Sequence, residues 1–337
     1  MKKICVIITI AVFLSLCGCQ RSEQNSGGSK ESLYFYRNKA IYSYSEKGFE
    51  KITECDEEDF LRNTFSVYKD WLYYEVFYSK FDSRMEQIGQ AKLFRKNIKS
   101  SNVEMISEDY IRSYIVADEC IYFIGVNNVL KRMGLDGSAK RTYGETNIKT
   151  NFYDLLDYNE SILLNSTEGL YIVDKNSGKM RQVTKKWRWY CFLFNNVSYS
   201  FYGSYDKENN LRTDSIIELN VETGKKEILY QTQEEVYPLG VGEDDIIPYY
   251  NESRSMIIKD KTMYFTMDEG TYSLSLKTKE VKKISDFSCL YVKGMIGNRI
   301  ICYFPTRSDV MTALEPEEYK LVSLNVETGE IEEHPFP

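Results

Sequence analysis

The feature that most constrains this chain is its likeness to itself. DECIYFIGVNNVLKRMGLDGSAKRTY (118–143), NESILLNSTEGLYIVDKNSGKMRQVT (159–184), KDKTMYFTMDEGTYSLSLKTKEVKKIS (259–285) and GNRIICYF with YKLVSLNVETGEIEE (297–333) follow one plan. Each opens on a tight polar turn and runs through an aromatic strand, a connection, a second strand, a Gly or Thr turn and a Lys- or Glu-rich strand. SIIELNVETGKKEILY (215–230) repeats the second half of the plan, and its NVETG recurs at 325–329. The last turn of each unit falls at Gly48, Ser100, Gly137, Gly178, Gly224, Thr278 and Gly329, with steps of 52, 37, 41, 46, 54 and 51 residues and a mean of about 47.

Four strands per unit at that period is the spacing of a β-propeller blade. The sequence therefore predicts an all-β chain of four-stranded antiparallel blades. Seven anchors give seven blades, with six or eight as alternatives. The first unit, LYFYRNKAIYSYSEKGFEKIT (33–53), holds only three strands, the second to fourth of the plan. Composition agrees, because 28 Tyr and 17 Phe against 6 Pro favour the pleated, half-buried surface of a sheet. Strands alternate, as in Leu33 and Phe35 against Tyr34 and Tyr36. If neighbours cover both faces of each blade, the tyrosines are chiefly packing residues.

Charge and histidine content exclude several functions. With 43 Lys+Arg against 50 Asp+Glu, the chain has no basic excess to displace counterions from nucleic-acid phosphates. His334 is the only histidine, which excludes a Ser-His-Asp triad elsewhere in the chain and any multi-histidine metal centre. No phosphate-cradling GxxxxGK[ST], GxGxxG or GxSxG motif occurs. No acidic run matches a twelve-residue calcium loop. The sequence thus predicts no cofactor, no metal and no catalytic residue. Its enzymatic alternative is a carbohydrate-active propeller using paired carboxylates.

Residues 1–18 read as a secretory signal: Lys2 and Lys3 precede an apolar run from Ile4 to Leu16 that is too short to span a bilayer. Leu16-Cys17-Gly18-Cys19 resembles the lipobox of bacterial lipoproteins. That resemblance implies diacylglycerol on Cys19, the lipid bilayer as first partner, and an extracytoplasmic, membrane-anchored location. Residues 19–32 then form a flexible tether and 33–337 the propeller. Five cysteines lie beyond the tether, and their positions suit buried thiols acting as small apolar groups. A Cys289–Cys302 bridge across one hairpin is compatible with the sequence but not required by it.

Loop lengths sort by position. The turns between first and second strands are short (69–70, 117–119, 158–160, 195–196, 259–261, 296–298), as are those between third and fourth. Long connections all belong to the other end (54–64, 79–91, 203–214, 231–246, 305–318). Insertions on a scaffold tend to carry function, so that end is the predicted binding surface. Its candidate residues are Trp187, Tyr202, Tyr205, Arg212, Tyr237, Asp244, Asp245 and Arg307.

Ile121-Tyr122-Phe123 and Leu135-Asp136-Gly137-Ser138 resemble the YW core and LDG[ST] turn of YWTD repeats in low-density-lipoprotein-receptor-type propellers. The WTD tail is absent from every unit, so the ligand modes of those receptors do not carry over. The chain over 33–337 is also similar to tyrosine-rich bacterial lipoprotein propellers of unknown function, a resemblance that implies fold and surface location. Together these readings predict a non-catalytic binding or scaffold protein for an envelope protein, a peptide or a glycan.

Overall fold

A computed structural model describes residues 32–335 apart from 38–39, 55–59, 82–86, 144–151, 188–190, 207–210, 236–254 and 306–318 and positions 101, 126–127, 167, 186, 268 and 290. Residues 1–31, which include the predicted signal, Cys19 and most of the predicted tether, lie outside the described residues. The described chain is all-β, and every strand pair among the described residues is antiparallel.

The first sheet is β1 (Leu33–Arg37), β2 (Ala40–Ser45) and β3 (Gly48–Glu54). A seven-stranded sheet follows: β4 (Phe60–Tyr68), β5 (Trp71–Phe81), β6 (Gln87–Asn97), β7 (Val103–Ala117), β8 (Cys120–Gly125), β9 (Leu130–Gly134) and β10 (Arg141–Thr142). Four four-stranded meanders complete the chain. They are β11 (Phe152–Tyr158) to β14 (Met180–Lys185) through β12 (Ser161–Ser166) and β13 (Gly169–Asp174); β15 (Cys191–Phe194) to β18 (Lys226–Glu235) through β16 (Val197–Asp206) and β17 (Leu211–Asn220); β19 (Met256–Lys259) to β22 (Val281–Ser285) through β20 (Thr262–Met267) and β21 (Gly270–Ser275); and β23 (Val292–Ile296) to β26 (Ile331–His334) through β24 (Arg299–Pro305) and β25 (Tyr319–Asn325).

These sheets fall into two compact units, β1–β10 with β23–β26 and β11–β22. Within each unit, sheets that follow one another pack face to face in the blade arrangement of a β-propeller. In the first, Phe35 and Tyr44 pack on Ile296, Ile301 and Leu321, while Ile41, Tyr34 and Tyr36 pack on Leu72, Tyr74 and Val76. Alternate side chains of β1 thus enter opposite interfaces, as the period of two requires. In the second unit, Leu163, Leu170 and Ile172 meet Leu193, Leu219 and Val221, and Tyr199 and Ile216 meet Met256, Met263 and Phe265. Tyrosines 42, 44, 73, 74, 114, 122, 143, 158, 171 and 199 are all buried, so the tyrosine excess does serve packing.

The seven-stranded sheet arises from one strand with two partners. β7 pairs with β6 from Val103 to Ile111 and with β8 from Ile111 to Ala117, with register shifts near the changeover. Its two halves pack on one another through Tyr73, Leu93, Ile106, Tyr114 and Phe123, and the Tyr114 hydroxyl donates to the Tyr73 carbonyl at 2.9 Å.

The short turns are where the sequence placed them. Two-residue turns at 118–119, 195–196 and 260–261 hold both residues at positive φ, the mirror-image turn whose twist suits a hairpin. The neighbouring turns between third and fourth strands touch them: the amides of Ile98, Lys175, Val221, Leu276 and Val326 donate to the carbonyls of Asp70, Glu160, Asn196, Lys261 and Asn298. Both kinds of short turn therefore share one end of each blade. One anchor shifts by a residue, since the left-handed position beside Thr278 belongs to Lys279, with φ of 60°.

Candidate functional site

The two ends of the blades differ in what they expose. At the short-turn end, in the first unit, a cleft of about 860 Å³ opens between β1–β3 and β23–β26. Its rims are the Glu46-Lys47 and Gly297-Asn298 turns, and Tyr44, Phe49, Ile296 and Ile301 supply apolar lining. Arg299, Asn325, Glu332, His334 and Pro335 add a polar side. Strand alternation brings Glu332 and His334 to one face of β26.

The polar groups of that side are tightly engaged. One Arg299 amino nitrogen donates to Ser323 Oγ at 3.0 Å and lies 2.8 Å from Glu332, and the other reaches Glu330 at 3.4 Å. His334 Nε2 shares a hydrogen bond with Ser323 Oγ at 2.8 Å, and its ring lies 5.3 Å from that of Tyr44. Burial lowers the His334 pKa; Arg299 pushes the same way and Glu332 opposes both. Burial, aided by Glu332, raises the Tyr44 phenol. The cleft therefore presents neutral aromatic groups and a guanidinium already matched by carboxylates. Such a surface suits an uncharged ligand with one apolar face better than a free anion.

At the opposite end, the middle of the β15–β18 sheet is prolonged. β16 and β17 pair out to Asp206↔Leu211, and β17 and β18 pair out to Leu211↔Glu235, where β12 and β13 stop at Ser166↔Gly169. β5 and β6 are prolonged in the same way, to Phe81↔Gln87. Tyr202 lies on the last rung before the extension, with 38% of its surface exposed. Tyr205 is paired in register with Arg212. Arg212 Nε donates to Asp214 Oδ2 at 2.6 Å, and both side chains are largely buried. The ladder thus sets Tyr205 opposite Arg212, while Tyr202 lies three rungs away opposite Ser215, so Tyr202 and Arg212 project from opposite faces of the sheet.

Trp187 sits at a junction between blades. Its ring is buried against Leu193, Leu219 and Val221, and its indole N–H donates to Ser198 Oγ at 3.2 Å. The Lys226 ammonium lies 5.3 Å from the ring centre, and burial lowers that lysine's pKa. A tryptophan held this way packs the junction between β11–β14 and β15–β18 and offers no open face to a sugar. Tyr237, Asp244, Asp245, Arg307 and Cys19 lie outside the described residues. The residues of the cleft were not anticipated; the signal available was the lone histidine, two positions from a glutamate on a short strand.

Comparison with known proteins gives fold-level likeness only. No family model matches the chain, and no curated protein matches it. Among solved structures it is similar to the computationally designed protein Ika8, at 8% identity and a TM-score of 0.49 over 92% of this chain and 88% of that one. It is also similar to a chain of a nidogen–laminin complex, at 11% identity and a TM-score of 0.43 over 75% and 92%. Among the described residues no group of His, Cys, Asp and Glu could hold a metal ion, and no helix is long and apolar enough to cross a membrane.

Proposed function

We propose that the protein is a non-catalytic binding or scaffold propeller of seven blades, held at the extracytoplasmic face of a bacterial membrane by lipidated Cys19. Seven blades follow if the seven-stranded sheet counts as two blades sharing β7. β1–β3 then count as one that lacks its first strand. The strand pairing supports that reading: the register shift between third and fourth strands falls at Ile41/Tyr42, Leu170/Tyr171 and Thr271/Tyr272, which aligns β1–β3 with the last three strands of the other blades.

The observation that carries the binding role is the prolonged ladder. Rungs beyond Tyr202↔Ser215 add four residues to each of β16 and β17 that a six-residue blade strand does not need. An exposed tyrosine, Tyr202, stands where the extension begins, and Arg212 lies along it on the other face; both are residue types favoured at protein and glycan contacts. The partner would be an envelope protein, a peptide or a glycan.

The full chain, fluorescently labelled, should bind saturably to members of a peptide and envelope-glycan array. Tyr202→Ala should weaken retention at least fivefold at unchanged melting temperature. Absence of saturable binding, or indifference to the substitution, overturns the role, and turnover of any arrayed glycan overturns its non-catalytic part. Radiolabelled palmitate should enter the wild-type chain and not the Cys19→Ser chain in growing bacteria. Equal labelling of both removes the anchor.

A further inference from the structure

Cys289 and Cys302 are both fully buried, with 0% of either exposed. The Cys302 thiol interacts with that of Cys289. The backbone explains the contact. Cys302 lies opposite Val292 in the β23–β24 ladder, and the Tyr303 amide donates to the Tyr291 carbonyl at 3.3 Å. The chain just ahead of β23 thus still runs beside β24, and Cys289 comes round to face Cys302. Cys120 gives a contrast within the same unit, being half-buried at a strand end opposite Gly134.

We propose that Cys289 and Cys302 are a disulfide site, joined when the folding chain meets a small-molecule disulfide such as glutathione disulfide, and that the bond ties the segment entering β23 to the middle of β24. The exchange has two steps. One cysteine thiolate attacks the glutathione disulfide, whose S–S bond breaks to release a glutathione thiolate. The second cysteine thiolate then attacks the mixed disulfide, forming the protein S–S bond and releasing a second glutathione thiolate. Two electrons pass to the oxidant, and the two protons lost by the cysteines end on the two glutathione thiols. The neighbouring Cys289 thiol and then burial raise the Cys302 thiol pKa well above its ordinary value. Thiolate is therefore scarce in the folded protein, and the bond should form as the chain folds rather than afterwards. The proposal is independent of where the protein resides.

The test is refolding of the full chain from guanidinium chloride in a glutathione/glutathione disulfide buffer. Alkylation in denaturant and tryptic mapping follow. Cleavage after Lys283, Lys293, Arg299 and Arg307 puts the two cysteines on separate peptides, 284–293 and 300–307. The expected product is that pair linked and lighter by two hydrogens than the two peptides. Alkylated Cys289 and Cys302 should fall at least tenfold against a reduced control, while Cys120 stays alkylated. The same buffer with guanidinium retained should give the linked pair only in statistical yield. Full alkylation of both cysteines after refolding overturns the proposal, as does equal yield of the pair with and without the fold.

Discussion

The sheets β11–β14 and β19–β22 are built to one plan, and three positions of their last hairpin show how far its chemistry can differ. Both place a glycine at the start of the third strand, Gly169 and Gly270, with φ of 138° and 137°. Both close the turn after it with a backbone bond across five residues, from Gly178 to the Asp174 carbonyl at 2.9 Å and from Lys279 to the Ser275 carbonyl at 2.8 Å. The residue after the third strand is Lys175 in one and Leu276 in the other. The left-handed turn position is Gly178 in one and Lys279 in the other. The capping side chain is Asp174 in one and Ser275 in the other. The backbone of this hairpin is therefore set by its ladder and its glycine at the strand start, while the rest is open to quite different chemistry.

The shared glycines should give the largest effect. A Cβ at Gly169 would strike the Thr184 carbonyl, and one at Gly270 the Ser285 carbonyl. Each also holds a φ that other residues rarely adopt. Gly169→Ala and Gly270→Ala should each destabilise by about 3 kcal/mol or more, read by urea unfolding. If one tolerates alanine and the other does not, the two sheets lack a common frame.

Next is the buried lysine. Lys175 is 5% exposed; its ammonium donates to Asp157 at 2.6 Å and to the Asn159 carbonyl at 2.5 Å. Lys175→Ala should cost about 2 kcal/mol, since it opens a gap and strips a partly exposed carboxylate of its partner. Lys175→Leu, which copies Leu276, should stay within about 1 kcal/mol of wild type, because a packed apolar side chain often replaces a buried ion pair without loss. Equal costs for the two variants would show that the charge, and not the volume, is what this position needs.

These sheets also show what a sequence displays and what it hides. Turn glycines and polar pairs advertise positive φ locally, which made the short-turn end legible from Lys69-Asp70 to Gly297-Asn298. The shortest step of the repeat, 37 residues between Ser100 and Gly137, was itself a sign of β7, since a shared strand needs no connection between blades. Lys279 carries no such sign, and Thr278 stood in for it. The burial of Trp187 depends on a neighbouring sheet, a contact that no local pattern records. The cleft joins Tyr44 to Arg299 and His334 across most of the chain, so only the packing of β1–β3 on β23–β26 reveals it.

The left-handed lysine sharpens the comparison further. A non-glycine residue there costs about 1 kcal/mol, and the Lys279 ammonium meets Glu218 at 2.9 Å, a partly exposed pair worth roughly 0.2–1 kcal/mol. The two terms nearly cancel. Lys279→Gly should gain about 0.5 kcal/mol at most, and Lys279→Ala, which keeps the strain and drops the pair, should lose about that much. A large gain for glycine would mean that the ion pair contributes nothing.

The smallest effect is expected in acid, and only in one sheet. The Asp174 carboxylate accepts from the Ser177 amide at 2.6 Å, the Ser177 hydroxyl at 2.7 Å and the Asn176 amide at 3.1 Å, and these bonds hold its pKa below the usual 3.8. Ser275 caps the matching turn by accepting from the Thr278 amide at 3.1 Å and does not titrate in this range. For a carboxyl lowered in the fold, the unfolded chain takes up its proton first. The stabilisation is thus complete above about pH 3.8 and fades as pH falls through the lower folded value. Carbon NMR of the Asp174 carboxyl should show a midpoint below 3.8. In acid the amide of Gly178 should lose protection from hydrogen exchange before that of Lys279, and Asp174→Asn should abolish the difference. Both amides losing protection together would mean that the cap is not what separates the two turns. High salt should leave the order intact, because the three contacts are hydrogen bonds at close range and not a screened surface attraction.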